Sequence, residues 1–180
     1  MPGSQKEILQ TKKWVEDVVV GCNFCPFAHK EVKENKIRYQ VEESVDAKVC
    51  LETLLAEMLL MDADANIETT LLIFSVGFPK FRDYLDLVED AEELLKEKGY
   101  EGTYQVASFH PLYRFAGSSD NDAANYTNRS IYPMLHIIRE ASIEEALLRY
   151  KSPEKIPDRN IDFARNKGTV YMKMLRDACL

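Results

Sequence analysis

Cys22 and Cys25 stand two residues apart in Gly21-Cys-Asn-Phe-Cys-Pro-Phe-Ala-His29, the closest pairing of thiols in the chain. Two thiols at that spacing can chelate one metal ion or close a small disulfide ring, and His29 adds a nitrogen ligand. A zinc or iron site on Cys22, Cys25 and His29 would still need a fourth ligand, and the remaining histidines are His110 and His136, far along the chain. The thioredoxin-like redox reading is weaker, because the pair follows a helix instead of sitting between a strand and a helix. Cys25 has a third use as a nucleophile, which requires a neighbouring base or cation to draw off its proton. His29 would serve if the stretch were helical; Pro26 biases Cys25 away from the α region but can itself open a new helix. The competing structural reading packs Cys22 and Phe24 inward and uses Pro26 for a turn. Cys50 and Cys179 read as structural.

The second concentration of chemistry runs from Ser108 to Ser130. His110 ends a predicted strand, where open α/β sheets commonly bind ligands, and its ordinary pKa suits general acid or base work. Tyr113 is placed with it as a catalytic candidate. Arg114 and Arg129 could clamp a carboxylate or phosphate, and Asn125, Asn128 and Ser130 add donors and acceptors. The structural alternative is that Asp120, Asn121, Asn125 and Asn128 satisfy turns and helix starts. His136 shares a strand face with Met134 and Ile138, where a histidine is most often a hydrogen-bonded core residue, although histidine is also the commonest metal ligand. Dinucleotide, phosphate-loop, zinc-protease and serine-hydrolase signatures are absent from the sequence.

The elements that must position these groups follow from periodicity. Ser4 and Glu7 have capping-box spacing, and apolar positions then recur at helical intervals until Gly21. Alternation at Ile37, Tyr39 and Val41 predicts a strand with one face in water, and Val45 to Met61 a second helix. The continuous apolar run from Thr70 to Val76 predicts a central strand covered on both faces. A helix from Arg82 to Lys98, a strand from Thr103 to Phe109, a strand from Tyr132 to Arg139 and a helix opened by Ser142 and Glu145 come next, with a helical tail beyond Pro157. Pro111 to Ile131 has no period, and loops that long in a compact domain are usually functional or disordered.

These elements predict an α+β fold: a mixed sheet of about four strands with helices packed mainly on one face, in a single globular domain over residues 1–180. A ferredoxin-like arrangement is one version, and a small doubly wound α/β sheet is the alternative. The chain is 46% hydrophobic and 29% charged, an ordinary globular balance, with no apolar run long enough for a bilayer. Its formal charge of −7 argues against nucleic acid as partner. The N-terminal residues lack the basic flank and apolar run of a secretory signal, which predicts a cytoplasmic protein.

Cys25-Pro-Phe-Ala28, Ala107-Ser-Phe-His-Pro-Leu-Tyr-Arg-Phe-Ala-Gly117 and Asn125-Tyr-Thr-Asn-Arg-Ser-Ile-Tyr-Pro-Met-Leu-His136, with Arg139-Glu140, resemble an uncharacterised bacterial family defined as a domain of unknown function. The resemblance implies that Cys25, His110, Tyr113, Asn125, Tyr126, Asn128, Arg129, Ser130, His136 and Arg139 occupy its signature positions. Cys22 lies outside that signature, which favours a site built on Cys25 and the histidines over a two-cysteine chelate. The resulting expectation is a cytosolic enzyme acting on a small anionic molecule, with Cys25 as nucleophile or metal ligand, His110 and Tyr113 as further catalytic groups, and Arg114, Asn125, Tyr126, Asn128, Arg129, Ser130, His136 and Arg139 around the ligand. The alternatives are a non-enzymatic small-ligand or protein-interaction domain, and a metal-binding protein using Cys22, Cys25 and histidines.

Overall fold

The computed structural model describes residues 2–180, with side chains from Ser4 onward. Helix α1 (Pro2–Trp14) begins upstream of Ser4, so Ser4 and Glu7 lie inside the helix instead of capping it. It continues into a π-helical segment, Val15–Val20, that buries Val15, Val18 and Val19. Wide turns of this kind are rare and concentrate at functional sites. Gly21 is what lets the segment close: a Cβ there would lie 2.2 Å from the Asp17 carbonyl oxygen. A short helix, α2 (Ala28–Lys33), follows; it has no fully buried residue, and its six residues gave no readable period.

The remaining elements are β1 (Ile37–Glu42), α3 (Ala47–Ala63), β2 (Thr69–Phe74), α4 (Phe81–Glu97), β3 (Tyr104–Phe109), β4 (Met134–Arg139), α5 (Glu140–Leu148), α6 (Ile156–Lys167) and α7 (Thr169–Asp177). The Asp46 carboxylate caps α3 by accepting from the Lys48 N–H at 2.8 Å, which satisfies one of the helix's free donors. α5 starts directly out of β4 at Glu140 with no side-chain cap, so Ser142 sits within its first turn. Gly168, at φ +83°, breaks the predicted helical tail into α6 and α7. Among the described residues no helix is long and apolar enough to cross a membrane.

The four strands form one mixed sheet in the order β1-β2-β4-β3. β1 and β2 are parallel, while β4 runs antiparallel to both β2 and β3. The fold is therefore α+β, and the antiparallel β4 at the centre departs from the doubly wound alternative. β2 is central and buried along its whole length, as its unbroken apolar run predicts.

One detail of the layering differs from expectation. α3 and α4 share one face, where Leu54, Met58 and Leu87 pack on Leu72, Phe74 and Ile137. The opposite face is covered as well: Trp14, Val18, Ala164 and Met172 pack there on Leu71, Ile73 and Met134. Helices thus lie on both faces rather than mainly on one. The cause is visible in β2, whose alternate residues are apolar on both sides, so each side must be taken out of water. Each fully buried Leu, Ile or Phe contributes roughly 1.5–3 kcal/mol, which makes the second cover a large share of the stability.

Candidate functional site

The connection from Pro111 to Ile131 is a tied scaffold. It contains a 3-10 turn, Ala123–Thr127, whose five residues are all buried. Asn125 has no exposed surface: its side-chain oxygen accepts from Phe115 N–H at 3.1 Å and from Ser118 Oγ at 2.9 Å, and its amide donates to Ser119 O at 2.9 Å. Arg129 donates from Nε to Tyr113 O and from a terminal nitrogen to Asp120 O, both at 2.9 Å. Its guanidinium lies 4.9 Å from the Tyr126 ring centre, and Arg176 of α7 lies 5.4 Å from the same ring. Asp122 caps the turn and pairs with Arg165 of α6 at 2.7 Å, which holds its carboxyl down at about 2. Arg114 pairs with Asp120 at the surface. Asn128 donates to Ser108 O at 3.4 Å, and Ser130 to Tyr132 O. The polar residues that made this segment conspicuous are thus spent on one another and on α6 and α7.

His110 is fully buried, and both ring nitrogens are engaged. Nδ1 accepts from the Leu112 N–H at 2.9 Å, and Nε2 donates to Phe78 O at 2.9 Å. Its ring packs against Phe81 and Tyr84 of α4, and burial lowers its pKa. Tyr113 packs on Phe81 and Phe115, and burial raises its pKa. This places His110 on the α4 side of the sheet, away from Cys25. Arg139 donates to the Met61 and Ile67 carbonyls and to Tyr104 Oη, stitching the end of α3 to β4.

The opposite side of the sheet holds a cavity of about 350 Å³. Its floor is Thr69, Leu71, Ala107, Phe109, His136 and Ile138; Trp14, Val15 and Val19 close one side, Cys25, Phe27 and Ala28 another, and Ser142, Ile143 and Ala146 of α5 a third. Glu31 and Glu68 supply its only carboxylates, and among the described residues it has no lysine or arginine. The volume is at the small end of ordinary ligand pockets, and the composition, apolar walls with a few polar groups, is their usual one.

Thr69 and His136 fix each other's hydrogen-bonding roles, and the Trp14 indole N–H is buried without an acceptor. Thr69 Oγ1 lies 2.5 Å from Ile137 O and 2.6 Å from His136 Nε2. A hydroxyl has one proton, and Ile137 O can only accept, so Thr69 donates to the carbonyl and His136 Nε2–H donates to Oγ1. Nδ1 is then a bare acceptor. Burial lowers the pKa of His136 to about 4, so the ring is neutral. Burial pushes the Cys25 thiol up, with the N–H groups of Phe27 and Ala28 pulling back against it. Burial, then the neighbouring Glu68 charge, raises the pKa of Glu31. Neither Glu31 nor Glu68 has a hydrogen-bonding partner for its buried side-chain oxygen.

The structure therefore brings Cys25 and His136 to one cavity and leaves His110, Tyr113, Asn125, Asn128, Arg129 and Arg139 in the scaffold. The metal reading is not supported: among the described residues no three His, Cys, Asp or Glu side chains are grouped to hold an ion. His29 is exposed on α2, and Cys22 is outside the cavity wall that Cys25 joins. Trp14, Glu31, Glu68 and Thr69 were not anticipated, because each sits in or beside a regular element and only the tertiary fold gathers them. The π-helical segment ending at a close-packed Gly21 is the one local sign of the site.

No curated protein and no solved structure matches the chain. A family model described as a protein of unknown function, DUF1415, matches residues 6–174, nearly the whole sequence. The resemblance carried by the Cys25, His110 and Asn125 to His136 segments thus has its counterpart in a match along the chain: this protein belongs to the DUF1415 family.

Proposed function

We propose that the protein binds a small, mainly apolar molecule in the cavity between the sheet, the π-helical segment, α2 and α5. The observation that carries this reading is the cavity itself, about 350 Å³ lined chiefly by apolar side chains between the sheet and its covering helices. An engineered apolar cavity of ~150 Å³ is enough to take benzene, so this one has room for a ring and a short chain. The anionic ligand expected from Arg114 and Arg129 is disfavoured, because both guanidiniums are engaged in the loop and the cavity's charged groups are carboxylates.

Trp14 is the only tryptophan and lies in the cavity wall, so its emission reports occupancy. Titration with the neutral aromatic 2-phenylethanol is expected to change Trp14 fluorescence saturably, and Ala146→Phe, which fills the space from α5, is expected to abolish the change while leaving the circular dichroism intact. An unsaturable response, or one unaffected by Ala146→Phe, refutes the reading.

A second reading is supported by Cys25 and His136 lining the same cavity. In it the molecule is an enzyme, and burial keeps both groups neutral beforehand. As Sγ adds to an electrophilic carbonyl carbon of the bound molecule, whose π electrons move to oxygen, the Cys25 proton passes in the same step to the bare Nδ1 of His136. Cleavage of 4-nitrophenyl acetate with a one-equivalent burst lost in Cys25→Ser and slowed in His136→Gln would support it; an unchanged burst in Cys25→Ser would remove it.

A further inference from the structure

Glu31 and Glu68 are out of keeping with the rest of the cavity. Each has a side-chain oxygen shut off from solvent without a hydrogen-bond partner, and neither takes part in an ion pair among the described residues. Lys30 and Lys36 lower the Glu31 pKa through space, but neither forms an ion pair with Glu31 or Glu68 among the described residues, and Lys36 pairs with Glu34. Glu68 is also the charge that acts most strongly on Glu31. A carboxylate oxygen buried without a donor is costly, and at Glu31 the Glu68 charge adds to that cost by disfavouring ionisation. Proteins resolve such a pair with a shared proton or with a cation.

The remainder of the cavity says which kind of cation would fit. Two carboxylates without a third ligand make a poor metal site, since calcium takes six to eight oxygen ligands and magnesium close to six. The other walls, formed by Trp14, Val15, Val19, Leu71 and Phe109, are apolar apart from the unpartnered Trp14 indole N–H and would hold a hydrocarbon body. An ammonium group has three donors and one charge, which match two carboxylates each short of a donor. The molecule's net charge of −7 favours approach of a cation over an anion.

We propose that the ligand of this cavity is an apolar molecule ending in a protonated amine, received between the Glu31 and Glu68 carboxylates. The inference rests on the ligand-binding reading above and specifies its substrate class. The amine nitrogen donates to both carboxylates, and the hydrocarbon lies along Trp14 and Phe109.

The test is a matched series read through Trp14 fluorescence at neutral pH: 2-phenylethylamine, 2-phenylethanol and phenylacetate, with the wild-type protein and Glu31→Gln/Glu68→Gln. The amine is expected to bind about tenfold or more tighter than the alcohol, and phenylacetate more weakly than either. In the double variant the preference for amine over alcohol disappears, while the alcohol keeps its affinity within about twofold. Equal binding of amine and alcohol to the wild type overturns the inference and leaves the apolar cavity standing, whereas no binding of any of the three overturns both. Because the wild-type series is decisive by itself, a variant that fails to fold does not remove the test. An amine preference that survives the double substitution in folded protein places the cation elsewhere and also refutes the assignment.

Discussion

His136 shows how one side chain links the cavity to stability. The unfolded chain takes up a proton on this imidazole near its ordinary value of 6.5, but the folded protein does so only near about 4. Between those values the unfolded state holds more protons, so stability falls as pH falls through that window and is fully present above it. The contribution lost between neutral pH and about pH 4 is on the order of 3 kcal/mol. Urea unfolding of wild type and His136→Gln across this range is expected to show a flatter pH dependence in the variant by that amount; parallel curves would mean that the ring is solvated and titrates normally. His110, which has no exposed surface where His136 keeps some, has a different part, since Leu112 and Phe78 use both of its nitrogens. The sequence favoured His110, at a strand end, as the acid or base and gave His136, on a strand face, the role of a core residue or ligand contact. Their partners decide between them, and partners arrive from distant positions: Thr69 for His136, Phe78 for His110. Asn125 and Arg129 teach the same lesson from the other side, because a residue rich in donors reads identically whether it will bind a ligand or a carbonyl of its own loop.

At the scale of elements, α3 and α4 were legible because each carries several helical repeats closed by a capping residue or glycine. β2, β3 and β4 were legible because six residues suffice for a strand's two-residue period or an unbroken apolar run beside glycine or proline. The short α2 and the π-helical segment were not, because six residues hold too few repeats to define a helical period. Those two elements, with α5, build most of the cavity wall opposite the sheet. α5 has no fully buried residue and no side-chain cap, while α3 and α4 each bury four or more side chains. Segments with few buried contacts open at low cost, and an element that covers a ligand must be able to do so. Hydrogen exchange followed by mass spectrometry is therefore expected to show α5 amides exchanging about tenfold or more faster than those of α3 and α4. Saturating 2-phenylethylamine should slow exchange in α5 and leave α4 unchanged. Uniform protection across the three helices would make α5 a fixed wall and leave ligand entry to another route.

For the whole molecule, the decisive feature is that one sheet serves two cores. Leu72 points to the α3 and α4 side and Ile73 to the side of Trp14, so the two cores share the backbone of β2 as a common wall. A residue pattern apolar on both faces revealed that β2 is central, but it could not say which helices would cover the second face, since α1 and the C-terminal helices are joined to it only through tertiary packing. If the chain is a single domain, damage to one core must be felt in the other. Leu72→Ala removes side-chain volume from a fully buried position and is expected to cost about 2–5 kcal/mol. Trp14, on the opposite face, then reports the same loss: its fluorescence transition and the far-ultraviolet circular dichroism transition shift together to lower denaturant, with coincident midpoints. If the helical signal shifts while Trp14 unfolds at its wild-type midpoint, the two layers are separate folding units, and the cavity, which lies wholly on the Trp14 side, could persist after the α3 and α4 layer has melted.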